Sequence, residues 1–498
     1  MTPQLILFIF LAYTAMLFAV SLITARKSDN ESYFLGNRQS PWFVVAYGMI
    51  GASLSGVTFI SIPGWVSDSQ FSYMMLVIGY LLGYFTIAKI LLPLYYRLQL
   101  TSIYSYLDER FGFWSYKTGA FYFLLSRIIG ASFRMFLVIN ILQIFVFDEM
   151  GIPFWVTTVI FLLLINLYTF RGGIRTIVWT DTLQTTFMLA SVVITVIFIR
   201  DELMMTTGNM FKSIFESEYS RMIFTDWQDK RFFLKQFFSG AFIAIVMTGL
   251  DQDMMQKNLS CRNLKDAQKN IISLSWALIP VNLMFLGLGV LLVLFAQAKG
   301  VVMPGTSDTL FPEIAFNHLK PVAGIVFIIG IISAAYSSAD SAMTALTTSF
   351  TVDFLGIKRN RKLTEEKRKS IRQWAHLGIA FALILMIMFF NMINNEAVIS
   401  ELFTIAGYTY GPLLGLFAFG LFTNRSVNDR FTPAIAILSP LICYVISKNS
   451  VAWFGGYKFG FELLILNGFL MYIGLLLLSN KKPTTHDNHD NHDNTTTS

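Results

Sequence analysis

The chain has 498 residues, of which 55% are hydrophobic, 13% are charged and 48 are phenylalanine. Soluble domains carry about a quarter charged residues, so this balance excludes an ordinary soluble enzyme or binding module and points to one polytopic membrane unit. The formal charge of +7 could suggest a nucleic-acid partner, but the Lys and Arg residues sit in short connectors between apolar runs, as membrane topology requires.

Apolar runs near the ~20 residues that cross ~30 Å of hydrocarbon recur along the whole chain. The first, Pro3 to Ala25, has nothing basic before it and Arg26 and Lys27 after it. A signal peptide has the opposite arrangement, so a retained first helix with its N-terminus outside is expected. Further spans are expected at 41–66, 72–96, 115–147, 153–171, 174–200, 233–250, 271–298, 321–354, 373–394, 399–423, 431–447 and 460–479. The fold class is therefore all-α and polytopic, with about 13 transmembrane helices.

With the N-terminus outside, most of the 37 Lys and Arg fall on the cytoplasmic side. They include Arg38, Arg97, Arg110, Arg171, Arg175, Lys257, Arg262, Lys265, Lys269, the basic run from Lys358 to Arg372, Arg425 and Arg430. That asymmetry predicts a bacterial inner (plasma) membrane protein with a cytoplasmic C-terminus. The run from Lys358 to Arg372 reads as a topogenic connector near anionic lipid. The His-Asp-Asn repeats from His486 read as a solvated, disordered tail rather than a metal site. Cys261 and Cys443 lie far apart and suggest neither a disulfide framework nor a metal cluster.

Polar clusters inside hydrocarbon are expensive and mark function. The segment Gly48 to Gly64 crowds Gly48, Gly51, Ser53, Ser55, Gly56, Thr58, Ser61 and Pro63 into one span. These residues lower the cost of leaving the helix, and freed carbonyls become cation ligands; close helix packing through small residues is the structural alternative. From Ile332 to Thr344, Ala334, Ser337, Ser338 and Ser341 share one helix face, while Ser333, Ser337, Asp340 and Thr344 form a second stripe. Hydroxyls and carbonyls suit a hard cation such as Na⁺. Asp181, about two turns inside its span, needs a cation or donor beside it, with Arg127 or Arg134 as structural candidates.

At these residues the sequence resembles the sodium:solute symporter family along nearly the whole chain. The landmarks run in order: Ser32 to Arg38, Thr101 to Gly112, Gly172 to Asp181, Asp251-Gln-Asp-Met-Met-Gln-Lys257, the serine-rich segment, and Tyr410 to Phe417. Each is weak alone; six in order are specific. The resemblance implies the leucine-transporter fold, with inverted five-helix repeats at about 41–200 and 233–423. It divides the chain into an extra N-terminal helix and loop (1–40), a ten-helix core (41–423), two C-terminal helices (424–480) and the tail (481–498).

It also implies a common sodium site made by the carbonyls of Gly51, Leu54 and Ala334 with the hydroxyls of Ser337 and Ser338. A second sodium site would use Asp181, Ser337, Asp340 and Ser341. An Asp at 340, where relatives have a Ser, suits a bound proton or a structural role as well. The solute site would include Ser55 and Thr58. Arg134 matches an Arg that holds the substrate carboxylate in the sialic-acid branch, although Val77 stands where that branch has a polar residue. The expected activity is sodium-coupled uptake of a small organic solute by alternating access. A sialic acid or other carboxylate, a neutral sugar or polyol, and proton coupling all stay open. The expected partners are the solute, sodium ions and the lipid bilayer, with no obligate protein partner. A membrane-embedded enzyme would need a cluster of His, Cys or carboxylates in the spans, and only His376 lies near one.

Overall fold

The computed structural model describes residues 3–24, 30–303, 305–360, 362–393 and 398–480. The expected tail, with Lys481 and Lys482, lies outside the described residues, as do Arg26 and Lys27. Helix dominates because backbone N–H and C=O groups find no water in hydrocarbon and must bond within their own segment. In chain order come α1 (Pro3–Thr24), α2 (Trp42–Ser53), α3 (Gly56–Ser69), α4 (73–97), α5 (Phe113–Phe147), α6 (Phe154–Phe170) and α7 (Thr176–Glu202). They are followed by α8 (Phe233–Gly249), α9 (Gln252–Leu259), α10 (Leu264–Lys299), α11 (Pro321–Phe354) and α12 (Glu365–Ile393). The last three are α13 (Val398–Phe422), α14 (Thr432–Lys448) and α15 (Leu463–Leu477). Each expected span corresponds to a helix or to a bent pair of helices.

Among the described residues, two crossings are broken. Between α2 and α3 the backbone leaves the helix at Leu54 (φ −92°, ψ 33°) and Ser55 (φ −25°, ψ 177°), as the Gly- and Ser-rich sequence predicts. The second break was not expected. The chain bends by 65° between α8 and α9 instead of passing into a loop after residue 250. All eight residues of α9 are buried, so Lys257 is a core residue and not part of a cytoplasmic connector. The polar side chains of α9 tolerate burial because they are bonded: Gln252 to Ile103 N and Thr101 O, Gln256 to Phe34 O and Thr348 Oγ1.

Helix α11 is the centre of the molecule. Every residue from Gly330 to Ser349 is buried, and the helix packs against α1, α2, α3, α5 and α7. A helix buried on all sides carries its polar residues inward, so its hydroxyl stripe faces protein rather than lipid. Elsewhere glycine sets helix spacing. Cβ atoms at Gly79 and Gly240 would lie 2.0 Å from Phe237 O and 1.9 Å from Leu76 O, so α4 and α8 touch backbone to backbone. The turn joining α6 to α7 uses Gly173 at φ +53°, with the Tyr33 ring where a Cβ would be.

Candidate functional site

The α2–α3 break presents two kinds of group. At the end of α2, no backbone N–H among the described residues bonds to the carbonyls of Gly51 through Leu54, as helix termini dictate. At the start of α3, Ser55 is an N-cap whose side chain caps nothing, so the first amides of that helix also lie open. Oxygen atoms therefore face one way and N–H donors the other, from a single break.

Ser337 and Ser338 of α11 are buried, as are Gly51, Leu54 and Ala334. Ser338 Oγ donates to Ala334 O (3.1 Å) and Ser337 Oγ donates to Asp181 Oδ1 (2.7 Å). A hydroxyl has one proton and two lone pairs. Both serines use their O–H as hydrogen-bond donors, which leaves their lone pairs for a cation. Back-bonding to the helix and cation binding are thus compatible here.

Asp181 lies on α7, and α2 approaches it closely because Gly48 has no side chain: a Cβ there would sit 3.0 Å from Asp181 Cβ. The expected partners Arg127 and Arg134 do not reach it. Instead Lys257 Nζ donates to Asp181 Oδ2 at 2.6 Å, with both side chains 1% exposed. Gln184, its amide turned to donate, adds a contact of 3.2 Å to Oδ1. Asp340 faces other groups: Oδ2 accepts from Tyr168 OH (2.7 Å) and Oδ1 from Ser341 N (2.6 Å). Ser341 Oγ bonds to no protein group among the described residues. Of the four residues expected in a second cation site, the structure bonds Asp181 to Ser337 and engages Asp340 elsewhere.

Beside the break is a narrow cleft of about 80 Å³. Ser55, Thr58 and Arg134 line it together, joined by Tyr73, Tyr80 and Tyr84 of α4, Thr248 of α8 and Asn282 of α10. Val77 is fully buried and does not line the cleft; the three tyrosines of α4 provide that wall. Gly56 lets α3 start against α5, since a Cβ there would lie 2.5 Å from Val138 and 3.8 Å from Arg134 O. Two arginines of α5 differ sharply. Arg127 pairs with Asp253 and lies 3.7 Å from Asp251. Arg134, 8% exposed, has neither an ion pair nor a hydrogen bond to a protein group among the described residues, and its Nε is buried without a partner. An unpaired buried guanidinium is costly unless an anion completes it. His376 does not enter the site: Thr169, Thr347 and Tyr33 bond its ring between α6, α11 and α12.

The family model for the sodium:solute symporter family matches residues 33–430. The sodium/sialic acid symporter SiaT of Proteus mirabilis is 26% identical over 89% of this chain and 88% of its own length. The sodium/sialic acid symporter NanT of Aliivibrio fischeri is 23% identical over 92% and 91%. Among solved structures, a substrate-bound outward-open state of a Na⁺-coupled sialic acid symporter superposes with a TM-score of 0.80, at 20% identity, over 96% of this chain and 99% of that one.

Proposed function

The chain belongs to the sodium:solute symporter family, and from that premise we propose that it imports a sialic acid or a related carboxylate together with sodium. It is a multi-pass membrane transporter with Na⁺ as coupling ion, not an enzyme. The observation that carries the solute reading is Arg134, a buried guanidinium without a protein partner among the described residues that lines the cleft beside Ser55 and Thr58. A guanidinium offers a bidentate fit to a carboxylate, and the open first turn of α3 adds N–H donors and a favourable dipole. Tyrosines on α4 supply faces and hydroxyls suited to a sugar ring. The names of the two bacterial relatives point the same way.

Sodium is held by the carbonyls of Gly51, Leu54 and Ala334 and the hydroxyls of Ser337 and Ser338. An ion there ties the end of α2 to α11 and fixes the break in the form that admits solute. Solute binding then lets the bundle rock, and sodium leaves toward the low-sodium side. A tenfold sodium gradient supplies ~1.4 kcal/mol per ion, and each net positive charge carried inward through 100 mV adds ~2.3 kcal/mol. The charge of the basic loops supports an inner-membrane location with the N-terminus outside and the C-terminus in the cytoplasm.

Uptake of radiolabelled N-acetylneuraminate into proteoliposomes tests the proposal. It should require an inward sodium gradient. Arg134→Ala should weaken it 30-fold or more, in line with the ~2–5 kcal/mol of a truncated buried charge contact. Uptake that ignores sodium would remove the coupling site. No uptake of this probe, with sodium-dependent binding of a neutral sugar, would remove the carboxylate.

A further inference from the structure

We propose that Lys257 is a built-in cation that fills the second sodium position, so that this protein binds a single sodium ion. The inference rests on the sodium site proposed above and extends it to stoichiometry. Its ground is the contact between Lys257 Nζ and Asp181 Oδ2, 2.6 Å long and almost wholly removed from solvent.

Asp181 is a carboxylate deep inside α7, and such a group needs a neighbouring positive charge. Sodium from solution would supply it in one kind of protein. Here α9 brings the charge with it. The bend after α8 turns the chain back into the core, and α9 then points Lys257 at α7. Asp181 Oδ1 is already bonded by Ser337 and by Gln184, and Lys257 covers Oδ2. The carboxylate thus has a donor on each oxygen and its charge is neutralised. A sodium ion in direct contact with Asp181 would have to displace the ammonium or sit beside it. Asp340 is engaged as well, with Oδ2 accepting from Tyr168 OH and Oδ1 from Ser341 N–H.

The tether also reaches the remaining ion. Lys257 fixes Asp181, Asp181 accepts a hydrogen bond from the Ser337 hydroxyl, and the lone pairs of Ser337 stay free of that bond. For a solute with one negative charge, a single sodium also makes the transported pair electrically neutral. The membrane potential then adds nothing to accumulation, and only the sodium gradient drives it.

Equilibrium dialysis of the purified full-length chain with radioactive sodium decides the matter. The wild type should saturate at one ion per chain. Lys257→Ala, which clears the contact while keeping Asp181, should take up a second ion, and Lys257→Ala with Asp181→Asn should return to one. Two ions on the wild type would overturn the proposal while leaving the common site standing. One ion on a folded Lys257→Ala chain, verified by a cooperative thermal transition, would overturn it as well. No saturable sodium on the wild type would strike the common site itself. Should Lys257→Ala fail to fold, the count on the wild type still discriminates.

Discussion

The two broken crossings begin alike and end differently. At α2–α3 the chain stops being helical at Leu54 and leaves carbonyls and amides without backbone partners. At α8–α9 it also stops, but nearly every group is spoken for. Asp251 Oδ1 accepts from the N–H groups of Asp253 and Met254, and its other oxygen accepts from Tyr410 OH at 2.6 Å. Tyr95 and Tyr104 donate to the carbonyls of Gly249 and Leu250. Arg127 holds Asp253 and approaches Asp251. The first break is the one the proposed function uses for sodium and solute, and the second is a joint that delivers Lys257 to Asp181.

Four substitutions would break or sharpen that contrast. Arg127→Ala should act most strongly, because it strands two buried carboxylates; a loss of about 3–5 kcal/mol is expected. Thermal unfolding in detergent would measure it, and an unchanged transition would mean that the joint is not held by charge. Tyr410→Phe removes one donor to Asp251 and should cost about 2 kcal/mol, with the half-saturating sodium concentration unmoved. Ser338→Ala should do the opposite. Half-saturating sodium should rise about tenfold, equivalent to ~1.4 kcal/mol, with little change in unfolding temperature; sodium titration of solute uptake reads it directly.

The smallest effect lies outside both breaks, in the connector before α8. Arg231 bonds Asp229 and holds its carboxyl below the ordinary carboxylate range. A depressed folded value gives stability that is present above the ordinary range and lost as pH falls through the lowered value. Asp229→Asn should therefore lower the unfolding temperature slightly at neutral pH and not at all in strong acid. For a largely solvated pair the difference is under ~1 kcal/mol.

The spans and the first break were legible in the sequence because hydrophobicity and small polar residues are local signals. Asp181, Ser337 and Ser338 were legible as out-of-place polar groups, whereas Arg134 drew a solute role only from the family resemblance. Lys257 was not. The stretch Asp251-Gln-Asp-Met-Met-Gln-Lys257 is polar, so its hydropathy is that of a loop. What buries it is a set of partners far along the chain: Asp181 lies 76 residues away and Arg127 lies 126 residues from Asp253. Local composition carries no trace of such pairing. The Gly79–Gly83 spacing is a small-residue pattern of the kind that draws helices together, less conspicuous in the sequence than the glycines of α2.

That spacing bears on how the molecule moves. Helices that meet through long side chains can slide by small rotamer adjustments, which is how packed elements shear. Between α4 and α8 no such layer exists, since Gly79, Gly83 and Gly240 bring main chain against main chain. A slip between the two helices would have to part main chain from main chain, and the three tyrosines of α4 line the same cleft as Thr248 of α8.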